Sequence, residues 1–147
     1  MRVILALLLM AAAPVDPPVL VHAWARPTSD LAKTGAAYVT ITSPVADRLV
    51  GVTSPAARAV ELHVSRDEAG IMTMRPVDAL PLPPGVAVSL APGGYHAMLI
   101  DLVRPLHLGD HFPLTLRFAG AGDVTIEVVV ERPGAMPAGM GMDHSGR

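Results

Sequence analysis

The chain has 147 residues, of which 51% are hydrophobic and 16% charged, and its formal net charge is −2. This length is typical of one compact domain, and a near-neutral chain without a basic run excludes an electrostatic surface for nucleic acid. The chain has no cysteine. Disulfides, thiolate nucleophiles and cysteine-ligated zinc are therefore excluded, and a packed core must stabilise the fold.

The first segment, MRVILALLLMAAAP, is typical of a secretory signal. Arg2 supplies a cationic start, residues 3–13 are apolar, and the alanines 11–13 that end this run are small enough for a signal peptidase. The apolar run is shorter than the roughly twenty residues that span a bilayer. We therefore expect a signal peptide over about 1–15, a domain over 16–130, and export to the periplasm without stable membrane insertion. An uncleaved amino-terminal anchor is the alternative.

Short apolar stretches separated by turn residues make up most of the remaining chain. They are rich in β-branched residues and alternate partly with period two, while 13 glycines and 15 prolines punctuate the chain. No stretch after the signal keeps a helical period, so we predict an all-β sandwich or small barrel. Turns are predicted at 80–85 and 90–95, and a hairpin loop at 118–123. The predicted strands cover residues 19–25, 36–42, 47–54, 59–64, 85–91, 95–102, 112–118 and 123–130.

Four potential metal ligands lie on or beside the central strands. His63 ends one strand, Met74 follows after a turn containing DEAG, and His96 and Met98 lie two apart on a later strand. Alternate residues of a strand point the same way, so His96 and Met98 can reach one ion, and antiparallel strands can bring His63 and Met74 to the same end. Glu61 shares a face with His63 and is a candidate to orient that imidazole.

Two imidazoles and two thioethers form a neutral, soft donor set that suits Cu(I). Hard ions such as Mg²⁺ and Ca²⁺ avoid thioethers, and zinc prefers cysteine or carboxylate to methionine. A blue-copper electron-transfer site needs a thiolate, which this chain lacks, so such a site would bind copper and pass it on. Because only the histidines carry protons, affinity is expected to weaken as the pH falls through the imidazole range near about 6.5.

The spacing of His63, Met74, His96 and Met98, H-x10-M-x21-H-x-M, resembles the metal motif of the PCu(A)C periplasmic copper chaperones. The segments AWARPT, AAYVTIT, VELH, MRPV, PGGYHAML and PLHLGD resemble family segments in the same order. The resemblance implies a cupredoxin-like Greek-key β-sandwich or barrel that binds Cu(I) through these residues. It also implies delivery of copper to the Cu(A) centre of cytochrome c oxidase, with the Cu(A)-carrying subunit or another periplasmic copper protein as partner. Val64 stands where many members carry a second methionine.

The carboxyl-terminal segment 131–147 has no apolar periodicity and is predicted to form a mobile tail. Four possible copper ligands lie within it: Met136, Met140, Met142 and His144. Some members of the resembled family carry a similar extension, which implies a second copper site here, with Cu(II) as a candidate ion. Arbitrary tail composition is the alternative.

The remaining candidate residues are assigned to packing or to the surface. Met72 shares the face of Met74 in an extended segment, but the motif spacing selects Met74 and packing is favoured for Met72. His22, His107 and His111 are expected to be surface or packed histidines, and Trp24, the single tryptophan, is expected to anchor the core. None of these residues is expected to bind metal.

Two other kinds of function compete with copper delivery. One is a secreted β-sandwich interaction module in which the histidines and methionines only fill the core, and the other is general periplasmic copper tolerance or storage. An enzyme is not expected, because no nucleophile elbow, phosphate-binding glycine loop or isolated pair of acidic residues is present.

Overall fold

The structure, a computed structural model, describes residues 16–134 and confirms the all-β prediction. The described residues contain no helix, and hence none long and apolar enough to cross a membrane. The expected signal peptide and residues 135–147 of the expected tail lie outside the described residues. The ten strands are β1 (Val19–Ala25), β2 (Thr34–Thr42), β3 (Asp47–Thr53), β4 (Ala57–Glu68), β5 (Ile71–Pro76), β6 (Leu80–Leu82), β7 (Ala87–Ser89), β8 (Tyr95–Leu102), β9 (His111–Phe118) and β10 (Gly122–Val130).

All ten strands belong to one mixed sheet. Its order is β5-β4-β8-β2-β1-β10-β9-β3-β6, with β7 paired to β2. The β1–β10 pair is parallel, and the other described pairs are antiparallel. β3 also lies against β4, although many strands separate the two in the hydrogen-bonded order. The sheet therefore curves back on itself and encloses a core, as expected for a cupredoxin-like sandwich or barrel.

The enclosed face of the sheet carries the hydrophobic core. On β9 the alternation is regular: Phe112, Leu114, Leu116 and Phe118 are buried, and the residues between them are more exposed. Each fully buried aliphatic side chain contributes about 1.5–3 kcal/mol relative to exposure. The largest fully buried side chains are Ile41, Leu49, Leu82, Leu99, Leu114, Leu116, Val39, Val128 and Val130.

The β4–β5 hairpin differs from the sequence prediction. The predicted DEAG turn is confined to its last two residues, since β4 continues through Glu68 and β5 begins at Ile71. Ala69 and Gly70 have φ angles of 55° and 82°, as a two-residue hairpin turn of type I′ requires. The Gly70 N–H donates to Asp67 Oδ1 at 2.8 Å, which further holds the turn. The strand β5, absent from the prediction, is thereby fixed beside β4.

Between β5 and β8 the structure also differs from the prediction, because it has two short strands where one longer strand was predicted. Of the predicted strand 85–91, only Ala87–Ser89 form a strand, which is β7. The predicted turn 80–85 begins with the short strand β6. Pro81, Pro83 and Pro84 restrict the segment 80–85, and Pro84 and Pro92 flank the segment 85–91, because a proline cannot donate to a strand ladder. The predicted turn at 90–95 and the hairpin loop at 118–123 are confirmed.

Candidate metal centre

Strand register brings the four predicted copper ligands to one face of the sheet. His63 on β4 lies directly opposite His96 on β8, and Met98 follows two residues further along β8. Met74 on β5 lies opposite Ser65, two residues beyond His63. Opposed residues, and residues two apart on a strand, share a face. The three adjacent strands β5, β4 and β8 therefore present all four side chains on the same side, which we call the donor face.

The donor face is the outer side of the sheet. The opposite side of the same strands carries Leu62 and Ala97, a directly opposed pair that belongs to the buried core. A substitution on the donor face therefore does not replace a side chain of the core.

His96 is buried and His63 is half-buried, although both lie on the outer face. His96 is 5% exposed, and the side chain of His63 is 12% exposed. Their ring centroids are 5.8 Å apart, and the rings are tilted by 42°. Met98 is half-buried, whereas Met74 is 58% exposed. The arrangement thus has sheltered nitrogen atoms and a thioether at the surface.

The proton of the neutral His63 ring is fixed by Glu61. His63 Nε2 lies 2.9 Å from Glu61 Oε2, and because a carboxylate can only accept, Nε2–H is the donor. Nδ1 of a neutral ring is then an unprotonated acceptor. This atom is buried and has no hydrogen-bond partner in the described part of the chain. A buried polar atom without a partner costs about 1–3 kcal/mol, and a metal ion at Nδ1 would satisfy it.

His96 has the opposite tautomer. Its Nδ1–H donates to the carbonyl oxygen of Gly94 at 3.3 Å, which leaves Nε2 with the free lone pair. Burial lowers the pKa of the His96 imidazole below its ordinary value, the Gly94 carbonyl raises it, and nearby His63 lowers it. The net effect favours the neutral ring, which is the form that can bind a metal.

The residues present on the donor face fit a soft cation. Histidines that bind metals usually donate their second N–H to a carboxylate or a backbone carbonyl, and both His63 and His96 do so. Within residues 16–134, no group of three or more histidine, aspartate or glutamate side chains converges as a site for a harder ion. Two imidazole nitrogens and two thioethers match the preferences of Cu(I).

The structure corrects the assignment of Met72 to packing. Met72 is 60% exposed and lies on β5 opposite Asp67, on the donor face two residues from Met74. A side chain that exposed contributes little to a core. The sequence could not reveal this, because exposure of a strand residue depends on which strand pairs beside it.

The three other histidines within residues 16–134 lie at the surface, as predicted. Each forms a hydrogen bond with a carboxylate: His22 with Glu131 at 3.0 Å, His107 with Asp30 at 3.1 Å, and His111 with Glu127 at 2.6 Å. Trp24 is half-buried against the core, with its ring 4.7 Å from that of Tyr38. The predicted tail ligands Met136, Met140, Met142 and His144 lie outside the described residues.

Several solved structures share this fold, and two of those described below contain copper. The copper-bound PCuAC domain from PmoF2 is 32% identical, with a TM-score of 0.67 over 84% of this chain and 100% of that one. The apo PCuAC domain from PmoF1 is 27% identical, with the same TM-score over 81% of this chain and 97% of that one. The Cu(I) form of DR1885 from Deinococcus radiodurans is 24% identical with a TM-score of 0.57, covers 84% of this chain and 83% of that one, and shows likeness of fold.

The sequence comparisons identify the family. A relative from Leifsonia xyli subsp. xyli, named "Putative lipoprotein Lxx21020", is 37% identical over 84 residues, which are 56% of this chain and 51% of that protein. The matched region thus spans about half the length of that relative. The family model LpqE-like, described as "Putative lipoprotein LpqE-like", matches residues 19–130. The chain therefore belongs to the LpqE-like family and has the fold of the PCuAC domains.

Proposed function

We propose that this protein is a periplasmic copper chaperone that binds one Cu(I) through His63, Met74, His96 and Met98. The observation that carries the proposal is the opposed pair of sheltered histidines. Each neutral ring donates its one N–H to an acceptor of the protein, so its other nitrogen is free. His63 Nδ1 and His96 Nε2 then offer lone pairs on the face that also holds both methionines. The copper-bound PmoF2 domain, at 32% identity, supports copper as the ion.

A chaperone has to release its ion to a partner as well as bind it. The exposed thioether of Met74 is the donor that an incoming ligand reaches first, while the sheltered histidines retain the ion. Exchange of one donor at a time avoids a bare ion, and the difference in affinity between the two proteins sets the direction. We propose the Cu(A) centre of cytochrome c oxidase as the destination, on the family resemblance of the sequence. The role is non-enzymatic.

A Cu(I) titration under reducing conditions tests the binding site. In competition with a Cu(I) chelator, the protein should bind Cu(I) tightly at the donor face, and His96→Ala or Met98→Leu should weaken that binding at least about tenfold. His111→Ala is the matched control, because His111 is an exposed histidine already paired with Glu127. Equal affinity in all three variants would contradict ligation by His96 and Met98.

Delivery is tested separately with a purified apo Cu(A) domain. Copper should pass to that domain faster than it dissociates into buffer, since exchange proceeds through a ligand-sharing complex. Transfer no faster than dissociation would contradict the chaperone role and favour storage or tolerance. Failure of the wild-type protein to bind Cu(I) at all would favour the interaction module.

We also propose the tail methionines and His144 as a second copper site. The Glu131 N–H bonds to the Ala25 carbonyl, so the chain leaves β10 beside β1, three strand spacings or about 14 Å from β8 along the sheet. The segment from Glu131 to Met136 can span at most about 17 Å, which allows the tail to reach the donor face. A chain ending at Glu131 should keep its fold and bind less copper. Unchanged stoichiometry would remove the second site.

A further inference from the structure

The strand that carries Met74 forms one edge of the sheet. Within residues 16–134, β5 ends the hydrogen-bonded order and no strand pairs with its outer side. Five of its six residues are exposed. Ile71, Met72 and Met74 are 67%, 60% and 58% exposed. A molecule approaching the donor face from this edge therefore meets β5 before it meets either histidine.

Two of these exposed side chains share the donor face. The β4–β5 register runs without a shift from His63 opposite Pro76 to Glu68 opposite Ile71. Met72 and Met74 therefore lie on the side of His63, and Ile71 lies on the reverse side. Cα atoms two apart on a strand are about 7 Å apart, and methionine has three rotatable bonds. The two sulfur atoms can thus approach the same ion.

Charge along the hairpin favours passage of a cation on this side. Asp67 lies directly opposite Met72 on the donor face. Arg66 and Arg75 alternate onto the reverse side, where Arg75 bonds to Glu68 at 3.1 Å. A cation that leaves Met74 towards the hairpin turn therefore meets a carboxylate and no opposing arginine on that face.

We propose that Met72 is a transfer ligand, which takes Cu(I) from the four-donor site as the ion leaves. In this step the Met74 sulfur–copper bond breaks as the Met72 sulfur–copper bond forms, while the bonds to His63, His96 and Met98 persist until donors of the acceptor replace them. The ion remains Cu(I), and no proton or electron moves, because thioethers are neutral in both states. The inference rests on the proposed function and adds a residue outside the motif that binds copper only during transfer.

Transfer kinetics of Met72→Leu test the inference. Leucine keeps the size and apolarity of the side chain but removes the sulfur. We expect equilibrium affinity for Cu(I) to stay within about twofold, while the rate of transfer to an added Cu(I) chelator, followed by stopped-flow absorbance, falls about three- to tenfold. Ile71→Leu, a change at the neighbouring exposed residue on the reverse side, should leave both quantities unchanged. Ile71→Met adds a thioether on the wrong side and should not speed transfer.

The outcomes separate this inference from the proposed function. If the wild-type protein does not bind Cu(I), the proposed function fails. If it binds and Met72→Leu transfers copper at the wild-type rate, the role of Met72 fails and the four-donor site stands. If Met72→Leu loses as much equilibrium affinity as Met74→Leu, Met72 is a resident ligand and the transfer role is overturned. Thermal unfolding of each variant is the control for folding, because substitutions at these exposed residues should not change stability.

Discussion

Two histidines that face each other across neighbouring strands differ in the nitrogen that they offer. His63 has a carboxylate two residues before it on its own strand, while His96 has a backbone carbonyl two residues before it. The first acceptor takes the proton at Nε2 and the second takes it at Nδ1. The free lone pairs are consequently on His63 Nδ1 and His96 Nε2, and the acceptor beside each ring determines which nitrogen is free for a metal.

Removal of the Glu61 carboxylate should weaken copper binding without unfolding the protein. Loss of the partner that orients a ligating histidine typically costs 10–100-fold in metal affinity, and we expect Glu61→Ala to fall in about that range. Glu127→Ala is the matched control, because Glu127 bonds to the surface histidine His111. Equal affinity in the two variants, measured by Cu(I) competition, would show that Glu61 does not position His63.

At the residue scale, the sequence predicts donor types and one orienting group. The donor types of the four motif residues suit Cu(I), and alternation along a strand places Glu61 beside His63, where the structure has it. The tautomers and the exposure of Met72 were not predictable. Both depend on hydrogen bonds and neighbours that exist only once β5, β4 and β8 are paired in register.

One carboxylate joins two separate elements on the other side of the fold. Asp47, the first residue of β3, accepts N–H groups from Gly120 at 2.7 Å and Ala121 at 3.0 Å in the β9–β10 loop, and from Arg48 at 2.7 Å. Burial raises the pKa of the Asp47 carboxyl. The three hydrogen bonds and the charge of Arg48 lower it by more, so the net pKa lies below its ordinary value. The ionised carboxylate therefore stabilises the folded state.

Replacement of Asp47 should destabilise the protein in a pH-dependent way. Asp47→Ala leaves the loop N–H groups without this acceptor and should cost about 1–3 kcal/mol at neutral pH. Because the folded pKa is depressed, the contribution is present above the unfolded pKa of about 3.9 and is lost as the pH falls through the folded pKa. Urea unfolding of wild type and variant should therefore converge in acid. A difference that stays constant down to the lowest pH would contradict this assignment, and the exposed Asp78→Ala serves as control.

At the element scale, strands with one buried face were predictable and fully exposed or very short ones were not. β9 and β10 alternate clearly and were predicted nearly to their ends. β5 is exposed along almost its whole length, so it lacks the alternation that marks a half-buried strand. β6 has three residues, too few for a period, and was predicted as a turn because prolines lie within and after it. β7 lies within the predicted strand 85–91, but its three-residue extent could not be read from the sequence.

Across the whole molecule, the proposed copper ligands and the core occupy opposite faces of the same strands, so stability and binding should be separable. Leu114 on β9 is fully buried, and Leu114→Ala should cost about 2–5 kcal/mol. Its copper stoichiometry should remain that of the wild type at temperatures where it is folded. Leu31→Ala, at a residue 90% exposed, should change stability by less than about 0.5 kcal/mol. Loss of copper binding by folded Leu114→Ala would show that the two faces are coupled.

The most direct test is an anomalous difference map at the copper absorption edge, from crystals of the full chain loaded with one equivalent of Cu(I). One peak is expected on the outer face of β5, β4 and β8, within bonding distance of His63 Nδ1, His96 Nε2 and the sulfur atoms of Met74 and Met98. A dominant peak elsewhere, or one bonded to neither histidine, would contradict the copper site.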